Sequence, residues 1–341
     1  MCITNKNLTK DRLTKIIGYT ILFVIAIFLP QLFKLIGSTT FLATEILIFA
    51  IFAIGFNLLI GYTGILSFGH AAWYGMASYA CALCQIHFTP GSTLLPMLFA
   101  IVFTTLIGAL VGKVIIKARG IYFSYITIAF GQLILFIVYR WTNVTNGENG
   151  LGGVTRDTFL KFINIAPEYN FYFFVLVILV FTVILMMIII NSPFGSVLKA
   201  IRESRTRSIF IGYDVKNYEL ASYTISIFYA SIAGCLSVYL NKFAFSESLS
   251  WTASGEVVIM TLVGGMYSLF GPIVGAFVIT FLKDFISSFT DRWMIVLGII
   301  FIFFVLVSPE GIMGWFGKRG RRKKSNPITA LFSSNNKGKQ L

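Results

Sequence analysis

The sequence is poor in charged residues, which make up only 12% of its 341 amino acids. A soluble domain of ordinary composition carries about 25% charged residues. In this chain 57% of the residues are hydrophobic, and phenylalanine alone occurs 35 times. So few charges cannot cover the surface of a soluble protein this apolar. The composition therefore argues against a soluble enzyme, a disordered protein and a disulfide scaffold, and it predicts an integral membrane protein.

Histidine and cysteine are also scarce, with two and four residues respectively. Cys81 and Cys84 form a Cys-x-x-Cys pair inside an apolar stretch, whereas redox and zinc motifs need polar, accessible surroundings. We therefore interpret Cys81, Cys84 and Cys235 as small packing residues. A lone histidine in a membrane segment, such as His70, is more often a hydrogen-bonded packing residue than a ligand. No spacing in the chain predicts a metal site.

Sequence motifs of enzymatic chemistry are missing as well. The chain contains no Gly-x-x-x-x-Gly-Lys-Ser/Thr, no Gly-x-Ser-x-Gly and no His-Glu-x-x-His sequence. It therefore has no P-loop of its own with which to hold nucleotide phosphates. A membrane-embedded enzyme would need a cluster of polar catalytic residues, which the sequence does not show, so we expect no enzyme and no cofactor bound by this chain.

The net charge of +14 is confined to a few short segments. Basic residues exceed acidic ones in 1–15, 113–119, 191–219 and the tail after residue 307, and these four segments together hold +15. Short basic segments between apolar runs are typical of the cytoplasmic side of a membrane protein. A nucleic-acid surface would need a soluble folded face to display the charge, so we expect no nucleic-acid partner.

Apolar runs of about 20 residues, the length that crosses a bilayer core, predict an all-α, polytopic helical bundle. The clear candidates are 16–33, 41–60, 94–116, 121–139, 171–190, 217–240 and 291–307. Two glycine-rich apolar stretches, 61–86 and 255–287, add one crossing and two crossings, which places every basic segment on one face. The sequence thus predicts about ten transmembrane segments with broken helices in 16–307, a cytoplasmic N-terminus in 1–15 and a basic, largely disordered cytoplasmic tail in 308–341.

Polar markers agree with this topology. Trp141, Trp251 and Trp293 fall at predicted outer ends, where amphipathic rings favour the headgroup region. Glu45 and Glu256 lie within a turn or two of predicted outer ends. Because a charge at the bilayer centre costs about 2.5–3.5 kcal/mol, we interpret both carboxylates as interfacial.

Two glycine clusters interrupt the apolar segments, one in 61–70 and one in 264–272. Irregular backbone at membrane depth is tolerated only where it is buried in protein or lines a cavity. Interrupted segments in corresponding parts of the two halves are typical of a substrate pathway, although any single glycine could serve close helix packing instead. The predicted pathway residues are Gly61, Thr63, Gly64, Ser67, Gly69, His70, Glu256, Gly264, Gly265, Gly271 and Pro272.

The segment 191–216 alternates apolar with basic residues between predicted membrane spans. Ser192-Pro193 is a helix start signal and Gly212 is an end signal. The pattern predicts a short amphipathic helix at the membrane surface. Such a helix is either held by anionic lipid or used as a docking element for a soluble partner.

These residues resemble the permeases of high-affinity branched-chain amino acid ABC importers, of the LivM-like type. The motifs that carry the resemblance are Asn57-Leu58-Leu59, Gly61-Tyr62-Thr63-Gly64, Ser67-Phe68-Gly69-His70-Ala71-Ala72, Gly120-Ile121-Tyr122-Phe123, Asn149-Gly150, Ser192-Pro193-Phe194-Gly195, Ala200-Ile201-Arg202-Glu203, Gly212-Tyr213, Ser254-Gly255-Glu256-Val257, Gly264-Gly265, Phe270-Gly271-Pro272 and Pro309-Glu310-Gly311-Ile312. Residues 204–210 depart from the family, since they are bulkier and more basic than the small residues usual there.

The resemblance implies a permease subunit in the bacterial inner or plasma membrane that moves branched-chain or other apolar amino acids into the cytoplasm. It implies a cytoplasmic ATPase that holds ATP and magnesium, a homologous second permease and an extracytoplasmic solute-binding protein. It assigns the coupling loop 191–216 to the ATPase, with Gly195, Ala200, Ile201, Arg202, Glu203 and Gly212. Urea or short-chain amide import is the alternative solute, and a stand-alone channel or ion-coupled carrier is the alternative from another class.

Overall fold

The long apolar runs fold into helices in the computed structural model, which describes residues 28–33, 39–156, 158–159, 163–290, 292–307 and 311–314. The α-helices are α1 (Thr40–Asn57), α2 (Ala71–His87), α3 (Leu94–Ile115), α4 (Ile121–Arg140), α5 (Thr142–Thr145), α6 (Glu168–Asn191), α7 (Pro193–Glu203), α8 (Arg205–Phe210), α9 (Val215–Asn241), α10 (Trp251–Gly264), α11 (Gly271–Ser287) and α12 (Trp293–Val307). A π-helix (Leu58–Thr63) continues α1. Short antiparallel pairs join β1 (Leu151–Gly152) to β4 (Phe243–Ala244) and β2 (Thr158–Phe159) to β3 (Ile163–Asn164).

The centre of the bundle is formed by α1 and α9. These two helices pack against each other, α2 and α3 pack on α9, and α6 and α11 pack on α1. Within α1 the side chains are buried nearly all round the helix. A helix that is apolar on every face needs such burial or lipid, and here protein supplies most of it.

The peripheral helices α3, α4 and α6 expose apolar side chains. On α3 the exposed side chains include Leu98, Leu106 and Leu110, and Leu110 is 63% exposed. A continuous apolar surface of this kind is unfavourable in water but suits hydrocarbon. In the part of the chain that the structure describes, five helices are long and apolar enough to cross a membrane. The predicted all-α membrane bundle is confirmed, while the count of ten segments and the side on which the termini lie stay predictions.

Both predicted interruptions are breaks in the helices. The stretch 61–86 contains the end of the π-helix, an irregular segment at 64–70 and α2. Gly64 adopts a left-handed φ of +81° at the end of the π-helix, a conformation that favours glycine. The stretch 255–287 is divided into α10 and α11 by residues 265–270, and α10 has only 14 residues. The two breaks are named here the first break (residues 61–70) and the second break (residues 264–272).

The two ends of the bundle differ in character. One end gathers residues 63–66 of the first break, the basic loop at 116–121 and the segment 201–205 around a shared cleft. The opposite end carries the β1–β4 pair and Ser246, whose hydroxyl donates to the carbonyl oxygen of Glu148. The basic segments near 119 and 202 therefore share one end, as the charge pattern predicts. The segments 1–15 and 315–341 lie outside the described residues.

The loop 191–216 forms two helices where the sequence pattern predicts one. Ser192 caps the start of α7 by accepting from the backbone N–H of Gly195, with Pro193 in the first turn. The backbone is extended at Ser204. The Ser204 hydroxyl accepts a hydrogen bond from the N–H of Arg207 and so caps the start of α8. Serine is a preferred N-cap because its oxygen satisfies an orphan N–H group. That capping signal at residue 204 divides the predicted single helix.

Candidate functional site

The two breaks lie in direct contact. The side-chain amide of Asn57 donates to the carbonyl oxygen of Ser268 over 3.0 Å. Gly61 lies against the carbonyl oxygen of Met266, and a Cβ atom on Gly61 would overlap that oxygen. The absence of a side chain at residue 61 thus lets segments about 200 residues apart meet backbone to backbone.

Arg202, near the end of α7, contacts both breaks. Its guanidinium donates a hydrogen bond to the carbonyl oxygen of Gly61. The same group lies 4.2 Å from the centre of the Tyr267 ring, a cation–π contact. Its Cγ atom would be 3.1 Å from a Cβ on Gly64. One side chain of the predicted coupling loop therefore joins the loop to both helix interruptions.

A second arginine fastens the loop 191–216 to the bundle. Arg205 donates from Nε to Glu219 Oε1 over 2.7 Å and from Nη2 to Oε2 over 3.1 Å. This two-point pairing raises the pKa of Arg205, because the hydrogen bonds that its guanidinium donates to Glu219 favour its charged form. Bidentate arginine–carboxylate pairs fix geometry as well as charge. The pair holds α8 against the start of α9.

Two clefts lie on either side of Arg202. The first has a volume of about 430 Å³ and lies between the first break, the 116–124 segment and the end of α7. The second, of about 440 Å³, is lined by Gly61, Tyr62, Lys199 and Tyr267. Arg202 and Glu203 line both clefts. Of the predicted coupling residues, Arg202 and Glu203 therefore border open space beside the first and second breaks.

The other predicted coupling residues divide into inward and outward sets. Ile201 is buried, whereas Ala200 and Glu203 are exposed. Gly195 is buried where a Cβ would overlap the carbonyl oxygen of Ile190. Gly212 follows α8 with a φ of +100° and is exposed. This arrangement leaves Ala200, Glu203 and Gly212 on an accessible surface of the loop.

Three further residues of the first break, Thr63, Ser67 and Gly69, have little or no exposed surface. Thr63 is buried, and its hydroxyl donates to the carbonyl oxygen of Leu58 over 2.8 Å. Gly69 lies against the backbone of Thr127, too closely for a Cβ atom. Ser67 is fully buried, and its hydroxyl has no hydrogen-bond partner among the described residues. Thr63 also borders the first cleft, and the pathway role of these residues stays a prediction.

His70 is fully buried at the start of α2. Its Nε2 atom shares a 2.8 Å hydrogen bond with the Ser226 hydroxyl, and its ring stacks at 5.9 Å on Phe52. This burial and hydrogen bond agree with the interpretation of His70 as a packing residue, and its place in the solute pathway stays a prediction. Cys81, Cys84 and Cys235 are likewise buried and free, which confirms their interpretation as packing residues.

The second break closes a tight hairpin between α10 and α11. The N–H of Gly265 donates to the carbonyl oxygen of Thr261, and the N–H of Gly271 donates to the Ser268 hydroxyl over 2.8 Å. A Cβ on Gly264 would overlap the carbonyl oxygen of Gly271. Pro272 occupies the first turn of α11, where its missing N–H costs nothing. The glycines at 264, 265 and 271 therefore serve close backbone approach as well as interruption.

Glu256 lies two turns before the second break and pairs with a lysine. Lys283 Nζ donates to its two carboxylate oxygens over 2.9 and 3.1 Å, and it lies 4.8 Å from the Trp293 ring centre. Glu45 is close enough to interact electrostatically with Lys283 and Glu256. Sequence reasoning missed Lys283, although a lone lysine in an apolar helix is a signal for a buried partner. It also missed Asn57, Tyr267 and Glu219 as contact residues.

Comparison with known proteins identifies the family of this chain. Residues 38–305 match the family model described as "Branched-chain amino acid transport system / permease component". The chain belongs to this family. That assignment confirms the resemblance drawn from the sequence motifs, and with the apolar helices it identifies a multi-pass membrane protein, which in bacteria lies in the inner membrane.

Curated relatives of this permease family cover most of the chain. The high-affinity branched-chain amino acid transport system permease protein LivM of Escherichia coli (strain K12) is 26% identical over 315 residues, which is 86% of this chain and 73% of that protein. The probable branched-chain amino acid transport permease protein LivH of Methanocaldococcus jannaschii is 24% identical over 301 residues, or 79% of this chain and 90% of that protein. No solved structure matches significantly.

Proposed function

We propose that this chain is the transmembrane permease subunit of an ABC importer that moves branched-chain or other apolar amino acids into the cytoplasm. The relatives are named as branched-chain amino acid transport permeases, which supports the substrate class. The observation that carries the coupling role is the contact of Arg202 with both breaks from a helix whose other face is exposed. Because the loop is accessible on one side and contacts the breaks on the other, a partner that binds and moves the loop would also move the breaks.

The proposed energy source is a separate cytoplasmic ATPase that binds ATP and magnesium, so that this chain needs neither a cofactor nor catalytic residues. Its docking surface would be the outward side of α7 and α8. That surface exposes Glu203 together with Phe210 and Ile211, which are 85% and 68% exposed. Apolar side chains beside basic ones on a surface loop are typical of a partner or membrane interface. A homologous second permease and an extracytoplasmic solute-binding protein complete the proposed assembly.

The pathway part of the proposal concerns the two breaks. Broken helices that meet inside a membrane protein are typical of transport sites, and the breaks in this chain meet beside two clefts. We assign the inner part of the solute pathway to this junction. Opening it requires the breaks to separate, since Gly61 and Met266 are in backbone contact.

Glu203→Ala and Gly212→Val are each expected to lower ATP-driven leucine transport about tenfold, while membrane insertion stays intact. Glu203→Ala removes an exposed carboxylate at the end of α7. Gly212→Val puts a β-branched residue at a left-handed φ, where it would be strained by about 1–2 kcal/mol. The measurement is leucine uptake into ATP-loaded proteoliposomes that contain the complete importer. Lys117→Ala, at an exposed residue outside the proposed docking surface, is the control and should transport normally. Full uptake by both altered forms would contradict the coupling role.

The function itself is tested by comparing leucine, isoleucine, valine and urea. Calorimetry on the cognate binding protein should show binding of the three amino acids, and the reconstituted importer should transport the same solutes only with ATP. Binding and transport of urea alone would replace the proposed solute. Leucine flux through the isolated chain without ATPase or ATP would contradict the importer and indicate a channel or carrier.

A further inference from the structure

Arg202 occupies the point where the coupling loop, the first break and the second break converge. We propose that Arg202 is a positioning residue that holds the two breaks together and passes movement of α7 to both of them at once. This inference rests on the proposed function, because it assumes that an ATPase moves α7. It adds the side chain through which that movement would reach the pathway.

The first contact is favourable for an electrostatic reason. Gly61 lies in the last turn of the continuous helix Thr40–Thr63, and its carbonyl oxygen accepts from Arg202. The last carbonyl groups of a helix lack intrahelical partners and carry a partial negative charge. A guanidinium at this end satisfies one such carbonyl and interacts favourably with the helix dipole. Arg202 therefore binds the first break at a carbonyl oxygen in the last turn of the π-helix.

The second contact uses the face of the same guanidinium group. Tyr267 is in the second break, and its ring centre lies 4.2 Å from the guanidinium carbon of Arg202. Arginine can stack on an aromatic ring while its edge donates hydrogen bonds, whereas the ammonium of lysine is a compact point charge. The two contacts together thus require arginine. The Nζ atom of the neighbouring Lys199 lies 5.6 Å from the ring centre of Tyr62, a residue of the π-helix.

Space beside Arg202 allows the contact to be broken and remade. The clefts of about 430 and 440 Å³ both have Arg202 in their walls. The side chain of Arg202 therefore has open space into which it can move away from Gly61 and Tyr267. The direct bond from Asn57 to Ser268 joins the breaks independently of the loop. Loss of Arg202 should consequently disconnect the loop from the breaks more than it disrupts the fold.

The experiment compares solute moved per ATP hydrolysed by the complete importer in proteoliposomes. Arg202→Gln should lower leucine transported per ATP at least tenfold, with ATP hydrolysis within about twofold of the unaltered importer. Arg202→Lys should give a transport ratio between those of Arg202→Gln and the unaltered importer, because lysine keeps the charge but not the stacking on Tyr267. Tyr267→Leu should lower the ratio, and Tyr267→Phe should retain it. Lys117→Gln, which removes an exposed cation at the same end of the bundle but outside the loop, is the matched control and should leave the ratio unchanged.

The outcomes separate this inference from the proposed function. If the unaltered importer moves no leucine with ATP, the proposed function fails. If it does, and Arg202→Gln moves as much leucine per ATP, the inference alone is overturned. An equal fall of transport and ATP hydrolysis in Arg202→Gln and Tyr267→Leu would show a general structural role, and it would also overturn the inference. A normal ratio in Tyr267→Leu would remove the second contact from the proposal.

Discussion

Gly275→Ala should prevent the permease from reaching its folded state, with an expected loss of more than about 3 kcal/mol. Overpacking a tight site typically costs about 1–3 kcal/mol when side chains can adjust. At Gly275 the obstruction is backbone, because a Cβ would overlap the carbonyl oxygen of Met260 and lie 2.9 Å from the N–H nitrogen of Gly264. Neither backbone can yield without opening the α10–α11 hairpin. Thermal stability of the detergent-solubilised protein, followed by size-exclusion chromatography after heating, measures the effect.

Gly255→Ala is the matched control for that prediction. Gly255 lies on α10 in the same hairpin, and no described atom lies within 4 Å of a Cβ built there. Alanine within a helix is favoured over glycine by about 0.5–1 kcal/mol, so this change should be neutral or stabilising. Equal stability of Gly275→Ala and Gly255→Ala would contradict the close backbone approach.

Lys283→Met should destabilise the bundle by about 3 kcal/mol, because it leaves Glu256 without its cation in an apolar setting. Removing one partner of a buried ion pair costs about 3–5 kcal/mol, and here the side chains of Lys283 and Glu256 are 31% and 17% exposed. Glu45 and Asp284 also surround the site with negative charge. The same heating assay should therefore show a large loss of folded protein for the single change.

A double-mutant cycle tests whether the pairing causes that loss. Glu256→Gln removes the charge that Lys283 neutralises, so the combined Lys283→Met and Glu256→Gln protein should be more stable than Lys283→Met alone. Effects of residues in contact are not additive, whereas those of independent sites are. A double variant whose loss equals the sum of the single losses would show that the ion pair does not contribute.

The local features of the site could be predicted from the sequence. Glycine clusters mark the first and second breaks because glycine alone tolerates the backbone that interrupts a helix there, as Gly64 shows with its φ of +81°. The start of the helical loop 191–216 could be predicted from its amphipathic pattern and from Ser192-Pro193. The division of that loop at Ser204 was missed, although serine there is a local capping signal that could have been used.

The contacts between distant segments could not be predicted in the same way. The pattern of 61–70 indicates irregular backbone, but it does not indicate that Asn57 bonds Ser268 or that Gly61 touches Met266. Those contacts depend on how α1, α10 and α11 pack, since each involves partners more than 200 residues apart. The packing of α7 against the bundle likewise decides that Arg202 contacts Gly61 and that Glu203 is exposed.

The sequence by itself determined that this is a helical membrane protein, where most of its apolar segments run and where they break. Those properties follow from hydropathy along the chain, the distribution of basic residues and the backbone preferences of glycine and proline, which act over a few residues. The tertiary structure decided which break meets which, that Lys283 neutralises Glu256 and that Arg202 spans both breaks. Hydrogen bonds and ion pairs of this kind act over about 3 Å, so only the packing of whole helices brings their partners within reach.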